Sequence, residues 1–123
     1  MATLTKQAIE TISRKLQLPM SGREQDWLTG VADADRITEF LNLYLTDSSL
    51  EQDQKYALMD LILASCNKAL QETKSIESRD WKQIKASLYT DPNNSDLIAY
   101  WALPGVEDVK QHFNLTPYIR SLR

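Results

Sequence analysis

Apolar positions along this 123-residue chain recur at three- and four-residue intervals, and no stretch alternates apolar with polar as a half-buried strand does. Ala8, Ile9, Ile12 and Leu16 mark a first helix over about residues 4–16, with Thr3 or Thr5 placed to cap it. Leu18, Pro19 and Met20 end it. The segment GREQDWLTGVA then offers Trp27, Leu28 and Val31 as inward positions of a short helical piece. Asp33 stands where it could cap a helix over about residues 34–45. There Ile37, Phe40, Leu41, Tyr44 and Leu45 form one apolar face, and Asp35, Glu39 and Asn42 form the opposite one.

TDSS interrupts the pattern, with Ser48 or Ser49 as the next cap, and the longest helix follows over about residues 50–71. Beyond the polar linker ETKSIES, Trp81, Ile84 and Leu88 stripe a helix over about 79–89. Pro92 disfavours helical geometry at Asp91, so TDPNN reads as a turn. Ser95 caps DLIAYWAL, which stops at Pro104-Gly105, and VEDVKQHF contributes Val106, Val109 and Phe113. Thr116-Pro117 has the form of a cap followed by a first-turn proline, opening a short terminal helix. The expected fold is all-α: a single compact domain, residues 1–123, of six to eight helices packed around a long, largely buried central helix at about 50–71.

Composition agrees with that pattern. Three glycines and four prolines are too few for the many tight turns of an all-β fold. Apolar residues at 42% and charged residues at 25% are ordinary for a globular domain and argue against disorder. Cys66 is the only cysteine, so neither an intramolecular disulfide nor a cysteine zinc site can form within one chain. The start lacks the apolar segment of a signal peptide, and no run approaches the ~18 apolar residues of a membrane span. A cytoplasmic location with no membrane contact is the expectation.

The most apolar run, YALMDLILASCNKAL, contains Asp60. On a helical wheel Asp53, Asp60 and Asn67 recur every seven residues and fall together on a narrow polar stripe, with Gln71 beside them. A lone charge in deep hydrocarbon would cost several kcal/mol unless paired. Asp60 is therefore expected on a wet or salt-bridged edge of the helix, and Ser65 and Cys66 in the core.

Catalytic constellations are sparse. His112 is the single histidine, near the end of VEDVKQHF, where it suits the helix dipole. No H-E-x-x-H, nucleophile elbow or Gly-rich phosphate loop occurs, and DADR lacks the spacing of a calcium loop. The expectation is no catalytic residue, no cofactor and no metal.

Charge carries more. Residues 23–60 hold nine acids against three bases, a net of −6 in a chain whose overall charge is −3. Asp35, Glu39, Asp53 and Asp60 fall on wheel faces turned outward. An acidic surface repels nucleic acid and steers basic partners inward. The basic, aromatic segment RDWKQIKASLY counts for less, because Trp81, Ile84 and Leu88 have core spacing. These features point to a non-enzymatic bacterial-type module that inhibits a basic protein, as an immunity protein or antitoxin neutralises a nuclease toxin, with Asp35, Glu39, Asp53 and Asp60 as contacts. Two alternatives stand beside it. One is a self-associating structural protein, a homo-oligomer joined through acidic and basic segments. The other is a ligand-binding or enzymatic bundle with Asp60 or His112 at a pocket mouth.

Overall fold

The computed structural model describes residues 5–18, 31–102 and 115–120, and every regular element among them is helical. The helical segments expected around Trp27 and Leu28 and over VEDVKQHF, with His112, lie outside the described residues. Six α-helices are described: α1 (Lys6–Leu16), α2 (Ile37–Thr46), α3 (Gln52–Gln71), α4 (Ser78–Thr90), α5 (Ser95–Ala102) and α6 (Thr116–Arg120). A 3-10 turn over Pro92–Asn94 joins α4 to α5.

Local chemistry sets the ends of these helices. Thr5 caps α1, its hydroxyl accepting from the Ala8 N–H at 3.1 Å. The C-terminus of α1 closes with Gln17 in the left-handed region at φ 56°, where the Gln17 and Leu18 N–H groups reach back to Arg14 and Ser13. Residues Thr73 and Lys74 repeat that closure on α3, with Thr73 at φ 58° and bonds to Leu70 and Ala69. Two expected caps act differently. Asp33 accepts from the Asp35 N–H at 2.9 Å and shapes a turn, so α2 begins at Ile37, three residues later than its pattern predicts. The cap of α3 is Glu51, which exchanges bonds with Gln54 in a capping box, while Ser48 and Ser49 sit in the preceding turn.

Helix α3 packs against α1, α2 and the 3-10 turn. Every residue from Ala57 to Leu63 is buried, which removes any wet face from its middle. Helix α2 runs antiparallel to it. At one end Ser65 Oγ accepts from the Asp33 N–H at 3.0 Å and Lys68 Nζ donates to the Ala32 carbonyl at 3.1 Å; at the other, Lys55 Nζ lies 6.0 Å over the Tyr44 ring. Helix α4 follows the direction of α2, since Thr38 donates to the buried Asp80 and Tyr44 donates to Asp91 at 3.3 Å. Asn94 locks this corner, its amide donating to the Tyr44 hydroxyl and the Ser87 carbonyl, both at 3.2 Å.

Phe40, Leu58, Met59, Leu61, Ile62, Leu63, Ile84 and Leu115 are fully enclosed. Val31 and Trp101 are buried and Trp81 half-buried, in line with their spacing. Leu45 departs from it. Placed at the last turn of α2, it points outward and is 46% exposed.

Candidate functional site

The polar stripe of α3 holds the first surprise. Asp60 is not at a wet edge: it is only 9% exposed, and its Oδ1 accepts a hydrogen bond from Trp101 Nε1 of α5 at 3.3 Å. Its stripe neighbours behave alike. Asp53 accepts from the Thr5 hydroxyl at the head of α1 at 3.2 Å, and Asn67 Oδ1 accepts from the Leu115 N–H just before α6 at 2.9 Å. Three residues seven apart on one helix thus fasten three separate elements. Thr116, expected as a cap, donates instead to the Trp101 carbonyl at 2.8 Å and ties α6 to α5. Burial, opposed only by the single Trp101 bond, pushes the Asp60 carboxyl up to about 6.

The acidic run is similarly occupied within the fold. Asp35 pairs with Lys74 at 3.1 Å and Glu39 with Arg36 at 2.6 Å. Asp47 accepts from Ser49 and from Lys15, the latter at 2.9 Å, and these bonds hold its carboxyl down at about 2. The Arg36 bond likewise lowers Glu39. Each described acid from Asp33 to Asp60 has an intramolecular partner. The four expected contact acids are also not gathered into one patch. Asp35 sits by Lys74, beyond the C-terminal end of α3, whereas Asp53 lies in its first turn, and a 20-residue helix is about 30 Å long. Of these four, Asp35 and Glu39 at the start of α2 are turned outward, with side chains 79% and 53% exposed.

Two grooves are described. The first, about 390 Å³, runs along the segment from Val31 to Arg36 and mixes Asp33, Asp35 and Glu72 with Arg36, Lys68 and Lys74. Several of these charges already satisfy one another. The second, about 580 Å³, lies between the end of α3, the 72–77 linker, α4 and α6. Trp81 and Tyr118 form part of its wall, edge to face with ring centroids 5.8 Å apart. Asp60 lines neither groove. Cys66 is buried, and that burial, with nearby Asp80, raises its thiol to about 12, the state of an inert core cysteine. Among the described residues no group of three or more His, Cys, Asp or Glu side chains is arranged to hold a metal ion.

No protein-family model matches the chain, and neither a curated protein nor a solved structure does. No helix among the described residues is long and apolar enough to cross a membrane.

Proposed function

We propose that this chain is a non-enzymatic protein-interaction module that engages a basic partner, in the manner of a small acidic inhibitor such as an immunity protein or antitoxin. The observation that carries the reading is the exposed start of α2, where Asp35 and Glu39 stand four residues apart on the acidic stretch of the chain. Lys74, the partner of Asp35, is a surface cation, and such an exposed pair contributes about 0–1 kcal/mol; Arg36 is more firmly set, holding Glu39 through two bonds and also donating to the Leu16 carbonyl. A partner's arginine could take the place of Lys74 at little cost, and Glu39, with its side chain 53% exposed, could accept a further bond beside Arg36. Asn42 and the outward Leu45 continue the solvent side of the same helix and would give the interface an apolar end. Asp60, buried beneath α5, leaves the contact set, and Asp53 is partly engaged by α1.

The test is affinity capture with the tagged chain and its Asp35→Asn/Glu39→Gln variant, side by side. A basic protein retained by the parent, released by high salt and lost from the variant is the expected result. Equal retention by both would remove α2 from the interface.

A further inference from the structure

We propose that the groove between α4, α6 and the 72–77 linker is a binding site for a small aromatic carboxylate. This is a second site, linked to the acidic start of α2 only through Lys74, which lines the groove and pairs with Asp35. Its lining is at odds with the chain around it. Seventeen acids against fourteen bases make the protein acidic, yet the described residues that line the groove include Lys74, Lys82 and Lys85 and no carboxylate. Lys74 is shared with Asp35 and Glu72, but Lys82 and Lys85 have no carboxylate within ion-pair distance among the described residues. They lie three residues apart on α4, so both ammonium groups reach the same stretch of rim.

The walls match a flat apolar body. Leu70 and Ile76 provide aliphatic surface, and the perpendicular Trp81 and Tyr118 rings offer faces and edges to a third ring. Lysine stems extend the apolar wall while their charged ends stay in water. The volume, about 580 Å³, falls within the range of small-molecule pockets. The linker side is fixed in place by the left-handed Thr73 and by the Lys74 N–H, which bonds to the Ala69 carbonyl at 2.8 Å. Together these features select a ligand with one or two fused rings and a single carboxylate directed toward Lys82 and Lys85.

Titration of the full chain with 2-naphthoate, indole-3-acetate and benzoate, followed by backbone amide shifts, tests the site. The neutral amides 2-naphthamide and indole-3-acetamide serve as controls. The expected result is saturable shifts centred on Ile76, Trp81 and Tyr118 for at least one fused-ring carboxylate. Affinity should fall at least about tenfold for its amide and for Lys82→Gln/Lys85→Gln, a loss equivalent to about 1.4 kcal/mol. The double variant replaces exposed or half-exposed lysines, and its unperturbed amide spectrum would show that it folds. No saturable binding across the carboxylates, equal binding of acid and amide, or shifts scattered away from the groove would each overturn the proposal. So would a glutamate-rich peptide that shifted the same amides at lower concentration than any of the small acids, since the ligand class would then be wrong.

Discussion

Asp60 shows why one residue in a hydrophobic run is hard to assign from its own helix. The wheel groups Asp53, Asp60 and Asn67 correctly, and all three do share a side of α3 with polar duties. What covers that side comes from Thr5, Trp101 and Leu115, each more than forty residues away in sequence. Spacing within a helix says nothing about such partners. The consequence for stability has a definite sign. An aspartate in an unfolded chain titrates near 3.9, whereas folded Asp60 titrates at about 6. The folded state therefore holds the proton more tightly. Asp60's contribution to stability is greatest below about pH 4 and is lost as pH rises toward about 6, by roughly 2–3 kcal/mol. Asp60→Asn keeps an oxygen to accept from Trp101 and removes the buried charge. It should raise stability at pH 7 by about 1 kcal/mol and flatten the urea-unfolding stability profile between pH 4 and 6. A variant less stable than the parent at pH 7, with the slope retained, would show that the carboxylate is well satisfied where it lies.

At the scale of elements, most helices were legible because each is long enough for its apolar spacing to repeat. Trp81, Ile84 and Leu88 are enclosed or half-enclosed as their period requires, and Phe40, Leu41 and Tyr44 turn inward. The helix ends were less legible. Leu45 continues the apolar face on paper, but it falls in the last turn of α2, and outward exposure there breaks no helical bond. Serines at 48 and 49 look like caps, yet Glu51 wins because Gln54 stands three residues on to complete the capping box. Thr73 is an element-end feature that no pattern announces. A β-branched residue at φ 58° is strained, and glycine occupies that conformation freely. Thr73→Gly should therefore stabilise the fold by about 1 kcal/mol, read as a higher Tm. Unchanged or lowered Tm would mean that the strain is already relieved by the Lys74–Ala69 closure.

At the scale of the molecule, the acidic stretch is first a structural resource and only then a surface. Asp33 shapes a turn, Glu51 caps α3, Asp53 and Asp60 hold α1 and α5, and Asp47 is held by Ser49 and Lys15. Net charge was legible in the sequence; the distribution of that charge between internal bonds and open surface was not, because it depends on which helices meet. The most direct test of this account is a carbon-13 NMR titration of the aspartate and glutamate carboxyl groups in the folded protein. Asp60 should titrate at about 6 and Asp47 at about 2, with Glu39 below its ordinary value. If Asp60 instead titrates near 3.9 with free carboxylates, it lies in water, and the anchoring stripe on α3 is contradicted.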